Sequence, residues 1–327
     1  MSKKIGRLIN LGIANEATRG TATAATNWLP KSNITFEDKV QKAPSQVGFG
    51  QIGEGNQDLV ALKWSEGDVE FDLMSESFGV ILKSVFGTVS SASYETSAYE
   101  HTFSVEQSNQ HDSMTFWVED SAESIDKFFE MVMVNNLSIS VVPEEVVKCS
   151  VSFVGKSSED TSGLSANYVA EDKFVGRHTS VKIAAATGNL DAASKLNIKE
   201  LTLDINKNVA RNHSLGTVQA IDVNNQKFEI TGKMTLDLED ETYKDLMNDG
   251  TYQAFRILIE NTNETIGSAG NPSFLLELSK VAFDGWEANR PNNEISTQVI
   301  NFKALYSITN GNVVNDCHLR NTTADYS

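Results

Sequence analysis

Gly67-Asp68-Val69-Glu70-Phe71-Asp72-Leu73 alternates polar and apolar residues without a break, and 165 positions later Gly232-Lys233-Met234-Thr235-Leu236-Asp237-Leu238 repeats the alternation. A period of two places Val69, Phe71 and Leu73 on one face of a β-strand and Asp68, Glu70 and Asp72 on the other. Each strand then runs into a helix start. Ser75-Glu76-Ser77-Phe78 answers Asp240-Glu241-Thr242-Tyr243, with Ser75 and Asp240 as expected N-caps and an acidic residue next, where the helix dipole favours it. Phe78, Ile81, Leu82 and Val85 form an apolar stripe, Tyr243, Leu246 and Met247 a shorter one, and Gly87 and Gly250 stand where each helix should end.

The likeness runs outward from these strands. Ser113–Val118 answers Ala254–Ile259, Leu137-Ser138-Ile139 answers Val281-Ala282-Phe283, and Cys149–Phe153 answers Gln298–Phe302. A turn with Pro143 matches one with Pro291, and upstream Ile34-Thr35-Phe36-Glu37 matches Leu201-Thr202-Leu203-Asp204. Alternating strands resemble one another everywhere, but chance would not keep caps, helix and proline turn in the same order. The chain therefore reads as two copies of one unit: strand, long polar loop, strand, helix, then further strands. The expected division is an N-terminal arm over 1–26, a first unit over 27–156, a linker over 157–175 and a second unit over 176–327.

Composition narrows the function. With 27 Lys and Arg against 44 Asp and Glu the 327 residues carry a net charge of −17, which disfavours wrapping DNA or holding an anionic membrane. No apolar run approaches the length of a membrane span, and Arg7 and Asn10 interrupt any signal core. Two cysteines, Cys149 and Cys317, are too few for a disulfide framework and imply a reducing compartment.

No motif points to chemistry. Gly48-Phe49-Gly50-Gln51-Ile52-Gly53 spells a dinucleotide-binding pattern, but a polar run follows where a phosphate-binding helix would have to start. His101, His111, His178, His213 and His318 lack metal-ligand spacing and read as surface or loop histidines. No catalytic, cofactor or metal site is expected.

Gly12-Ile13-Ala14-Asn15-Glu16-Ala17-Thr18-Arg19-Gly20-Thr21-Ala22 and Asn27-Trp28-Leu29-Pro30 resemble the opening of tail tube proteins from long-tailed, non-contractile bacteriophages. Ser65–Phe71 running into Phe78–Leu82, and the closing Asn301–Tyr306, resemble the same family. The resemblance implies a mainly β chain: two tandem tail-tube-type antiparallel β-sandwich units, each flanked by one short α-helix, with long loops and an N-terminal arm. It implies inner sheets joined edge to edge around a lumen, in rings that stack into the virion's tail tube, with other tail proteins at its ends. The subunit would be made in the host cytoplasm, and neither cofactor nor membrane is expected. A two-unit chain could build a pseudo-sixfold ring from three copies, with six copies as the alternative.

The expected lumen-facing residues are Asp68, Glu70, Asp72, Lys233, Thr235 and Asp237, an acidic wall that repels DNA and lets it pass. Ring-to-ring contacts are expected from loops 38–58, 91–111 and 206–225, including Gly48, Gly50, Gly53 and Gly216. The 1–26 stretch shows no strand or helix pattern and reads as an arm that orders on a neighbour. The competing readings are another self-assembling tube or virion protein of related fold, a monomeric carbohydrate-binding β-sandwich, and an enzyme whose site gathers distant residues.

Overall fold

A computed structural model describes residues 5–53, 55–108, 110–120 and 126–326. It is mainly antiparallel β. The first half holds β1 (Ile9–Asn15), β2 (Asn27–Leu29), β3 (Asn33–Ile34), β4 (Glu37–Pro44), β5 (Asp58–Asp72) and α1 (Phe78–Phe86). After the helix come β6 (Gly87–Glu95), β7 (Ala98–Val105), β8 (Met114–Asp120), β9 (Asp126–Val141), β10 (Lys148–Gly155) and β11 (Glu159–Thr161). The second half holds β12 (Thr179–Ala184), β13 (Ile198–Asn206), β14 (Ala210–Asn212), β15 (Asp222–Asn224) and β16 (Glu229–Asp237). It finishes with α2 (Thr242–Asn248), β17 (Gln253–Glu260), β18 (Ser273–Asn289), β19 (Thr297–Ala304) and β20 (Val314–Asn321).

The pairings of the two halves correspond strand by strand. β1 pairs with β8 as β12 pairs with β17, and β8 with β9 as β17 with β18. β9 pairs with β10 as β18 with β19, and β10 with β5 as β19 with β16. β5 is flanked by β3 and β4 where β16 is flanked by β13. The halves meet where Asn136–Val141 of β9 runs antiparallel to Leu201–Asn206 of β13. One sheet therefore crosses the chain in the order β4, β5, β10, β9, β13, β16, β19, β18.

One side of this sheet is the core face. Val69 and Phe71, Val151 and Phe153, Leu137 and Ile139, Leu203 and Ile205, Met234, Ile300 and Phe302 are all buried on it. Phe36, Phe116, Phe129 and Phe153 cluster beneath, with ring centroids 4.5–6.4 Å apart and tilted or edge-on contacts. Gly67 is required there: a Cβ on it would lie 2.5 Å from the Phe36 Cα and the Thr35 carbonyl oxygen.

Several sequence expectations change. The stretch 1–26, expected as a patternless arm, contains β1 with Leu11, Ile13 and Ala14 buried; residues 1–4 lie outside the description. The glycine at Gly12 hid the alternation, because it faces Ala25 and Trp117 with no room for a side chain. The expected linker contributes β11 and the buried Phe174, whose N–H donates to the Leu73 carbonyl. The expected loop 91–111 is mostly the β6–β7 hairpin, whose second strand pairs with β20.

Leu137 corresponds by pairing to Trp286, not to Val281, since Leu137 faces Val151 as Trp286 faces Ile300. The N-cap position of α2 falls to Glu241, one residue later than expected, while Asp240 accepts the Thr242 N–H at 3.0 Å from just outside it. Ser75 caps nothing. For α1 the cap comes from Glu171, whose carboxylate accepts the N–H groups of Glu76 and Ser77 at 3.2 and 2.8 Å. His101 and His111 are buried rather than superficial.

The two helices differ in depth for a visible reason. Eight of the nine α1 residues are buried, whereas α2 buries none. The C-terminal segment after β20 covers α1: Tyr326 lies against Gly79 and donates to the Glu76 carbonyl, while the Glu76 carboxylate accepts from Thr322 and Thr323.

Candidate assembly surfaces

Away from the core, the continuous sheet presents a polar face, and register orders it into rows. One row reads Asp72, Lys148, Ser140, Thr202, Lys233, Asn301. The next reads Glu70, Ser150, Ser138, Asp204, Thr231, Lys303, and a third Asp68, Ser152, Asn136, Asn206, Glu229. Thr235 and Asp237 continue the face on β16, opposite Val299 and Thr297 of β19. All six residues singled out in sequence thus lie on one side of one sheet. What the β5 pattern could not show is the rest of the surface. The three rows set five carboxylates against Lys148, Lys233 and Lys303, with hydroxyl and amide side chains filling the middle. Asp72 is further neutralised by Lys173, whose Nζ lies 2.6 Å away.

The edges of this sheet are the second feature. Among the described residues, β4 pairs only with β5, and Gly285–Asn289 of β18 pairs only with β19. Both leave backbone N–H and C=O groups directed outward, the arrangement that accepts a further strand.

The loops form the third. Gly48, Gly50 and Gly53 are exposed at the tip of the β4–β5 hairpin. Val47, Phe49, Ile52 and Leu59 are exposed there too, each by at least 60%. An apolar cluster of this kind on a projecting hairpin marks an interaction surface. Its counterpart in the second half behaves differently. Gly216 is exposed, but the β14–β15 segment around it folds back onto the first half. There the Lys63 N–H donates to the Val218 carbonyl, and the Arg211 guanidinium lies 4.0 Å above the Trp64 ring centre.

Sequence reading missed a buried polar cluster beneath that segment. Glu16 accepts the N–H groups of Gly20 and Met131 at 2.6 and 2.8 Å and the hydroxyls of Ser113 and Thr115, so every lone pair of the buried carboxylate is used. Arg19 donates to Asp222 at 2.7 Å, to the carbonyls of His111 and Val223, and to the Met133 sulfur. Lys207, almost fully buried, donates to the Ser84 carbonyl at 2.6 Å. Burial lowers its pKa from 10.5 to about 7, and that of His111 from 6.5 to about 4. The quoted stretch Glu16-Ala17-Thr18-Arg19-Gly20 held the signal, a charged pair around a turn, but its partners lie about 100 and 200 residues away.

Trp28 is buried, Trp117 stacks on Phe128 at 5.1 Å, and the Lys244 ammonium lies 5.1 Å from the Trp286 ring centre. Among the described residues no three His, Cys, Asp or Glu side chains gather as metal ligands would, and no helix is long and apolar enough to cross a membrane. The family model for the phage tail tube protein matches residues 6–304, and the chain belongs to that family. Its place is the virion tail, in a multimeric tube assembled with other tail proteins. Among curated proteins, none matches the chain in sequence.

Proposed function

We propose that copies of this chain join edge to edge into rings, three to a ring, which stack into the tail tube and surround the path of the ejected DNA. The observation that carries this reading is the β9–β13 junction. Within one chain, the sheet of the first half already continues into that of the second. Their counterparts, Gly285–Asn289 of β18 and β4, remain open at the two ends, so a further copy can repeat the join until the sheet closes.

Each chain then supplies two tube units, about 27–156 and 176–327 with 157–175 linking them, and β1 completes the first as β12 completes the second. The polar face lines the lumen. It offers DNA a hydroxyl-rich, mildly acidic wall, and repulsion screened over about 8 Å at physiological salt keeps the duplex from adhering. The β4–β5 hairpin carries its apolar tip, with Gly48, Gly50 and Gly53, to the adjacent ring. The segment around Gly216 supports it from within the chain.

Negative-stain microscopy of the purified protein, with mass measured in solution, tests this reading. Hollow rings or tubes of apparent sixfold symmetry and three-chain mass are expected. Six chains per ring would remove the two-unit reading, and a protein monomeric at every concentration, even with tail initiator proteins added, would remove the ring.

A further inference from the structure

The internal junction is gripped by a bulge. β9 and β10 slip register between Ser152 and Phe153, leaving Asn135 as the extra residue. The Asn135 carbonyl accepts the Lys207 N–H at 2.8 Å, and its side-chain oxygen accepts the Val209 N–H at 2.9 Å. One residue thus holds the entering strand at two points and fixes where it stops, as bulges commonly do in sheets.

The open end of the sheet has the same device. β18 and β19 slip between Phe283 and Gly285, leaving Asp284 extra. Since Leu137 faces Val151 as Trp286 faces Ile300, Asp284 stands where Asn135 does. The open strand at the other end also has its counterpart in register. Glu37 faces Glu66 as Asp204 faces Thr231, and Lys39 faces Trp64 as Asn206 faces Glu229. Val40 and Lys42 therefore stand where Lys207 and Val209 do.

We infer that Asp284 sets the register of the joint between copies: its carbonyl accepts the Val40 N–H and its carboxylate the Lys42 N–H of a second copy. Glu287 then faces Glu37 of that copy, and Gly285 faces Lys39. The inference rests on the edge-to-edge reading and goes one step further, to a single register and the residue that fixes it.

The change from amide to carboxylate fits the difference between the joints. The internal one is made by a tethered strand and needs no steering. The external one must be found by diffusion, and opposite charge across an interface raises the rate of encounter. Asp284 and Glu287 lie on one edge, Lys39 and Lys42 on the other. Glu37 opposite Glu287 is a cost. Lys39, whose Nζ is 2.6 Å from the Glu37 carboxylate, sits beside that pair and offsets it.

Two experiments on the full chain test the register. The Lys207 N–H bonds to the Asn135 carbonyl, so by alternation Asp204 and Ser138, which stand where Glu37 and Glu287 would meet, take the closer, non-bonded antiparallel spacing. An E37C/E287C chain should therefore form disulfides between copies under mild oxidation. Covalent species should build up to the size of a closed ring, and E37C/N289C, offset by two, should cross-link at least tenfold less. Cys149 and Cys317 are buried and stay silent. If the offset pair cross-links as well or better while wild-type rings form, the register is wrong and the edge-to-edge reading stands. If the wild type never assembles, both fall.

The second experiment addresses Asp284, whose exposed carboxylate lies 3.5 Å from the Lys303 ammonium. D284K should slow assembly about tenfold or more at low salt, with unchanged circular dichroism, and adding K42E should restore much of the rate. Wild-type assembly kinetics in D284K would overturn the role given to this residue.

Discussion

The guanidinium of Arg19 and the carboxylate of Asp222, 203 residues apart in sequence, meet at 2.7 Å. The contact ties the segment after β1 to the β14–β15 hairpin, and both side chains are less than one-fifth exposed. Replacing Arg19 by Ala would take the cation from the Asp222 carboxylate, which keeps the Val223 N–H and the Gln110 amide. It would also remove the guanidinium donors to the carbonyls of His111 and Val223. The expected loss is roughly 2–3 kcal/mol, the scale for removing one partner of a largely buried pair. Lys in its place should recover only part, because an ammonium cannot reproduce the planar fork. Urea denaturation of the three proteins measures this, and a loss under about 0.5 kcal/mol for R19A, the scale of an ordinary surface change, would mean the network carries no weight.

The same cluster makes stability depend on pH in two windows. Burial holds His111 near 4; Lys207 and Arg19 push it the same way, and the Glu106 carbonyl and Asp112 oppose them. Burial likewise holds Lys207 near 7, with Arg19 adding and Glu106 and Asp112 opposing. Both folded-state values are depressed. Between pH 4 and 6.5 the unfolded chain binds a proton at His111 that the folded chain refuses, so stability rises with pH there. Between pH 7 and 10.5 Lys207 gives a second rise. At about 1.4 kcal/mol per pKa unit the first amounts to roughly 3 kcal/mol and the second to roughly 5. His111→Gln should flatten the lower window and Lys207→Met the upper, as read by denaturation at stepped pH. Unchanged slopes would assign the pH dependence to other groups.

Gly79 and Tyr326 make a sharper test of the C-terminal cover. A Cβ on Gly79 would come within 2.2 Å of the Tyr326 ring. Gly79→Ala should therefore cost about 1–3 kcal/mol by overpacking. Tyr326→Ala should cost about 3–4 kcal/mol by leaving a cavity over α1. With the ring gone the added methyl has room, so the double variant should fall short of the sum by at least about 1 kcal/mol. Strict additivity in a double-mutant cycle would show that the ring does not set the space at Gly79.

What the sequence disclosed and what it hid follow from the range of the signals. Val69, Phe71 and Leu73, and Met234 and Leu236, were readable as core because alternation is local. Gly87 and Gly250 marked the helix ends for the same reason. β1 was obscured because Gly12 replaces the side chain that would have completed its pattern. The lysines of the polar face stand on β10, β16 and β19, so no single strand reveals that Asp72 has Lys148 beside it. The α1 cap could not be assigned to Glu171, since nothing in the spacing of Ser75 and Phe78 points 95 residues downstream. Of the assembly surfaces, the hairpin loop was visible as a polar insertion. The open edges and the bulge at Asp284 exist only in the pairing.

The polar face can be tested against DNA itself. Asp68 and Glu70 are exposed and alternate with buried core residues, so reversing them changes charge without touching the packing. Across the three rows the surplus of carboxylates over lysines is two, and a D68K/E70K chain turns that small deficit of positive charge into an excess. If this face lines the conduit, wild-type tubes should show little affinity for duplex DNA, and the variant should hold it. The hold should weaken steeply with salt, because each phosphate neutralised by a lysine releases a counterion and steepens the logarithmic slope by about 0.9. Fluorescence anisotropy of a labelled duplex threaded into open-ended tubes, from about 50 to 200 mM salt, makes the comparison. Assembly should be unaffected, since neither residue lies on the open edges. Variant tubes of normal appearance that retain DNA no better than wild type would place the face away from the DNA path, and the lumen would have to be sought on the other side of the molecule.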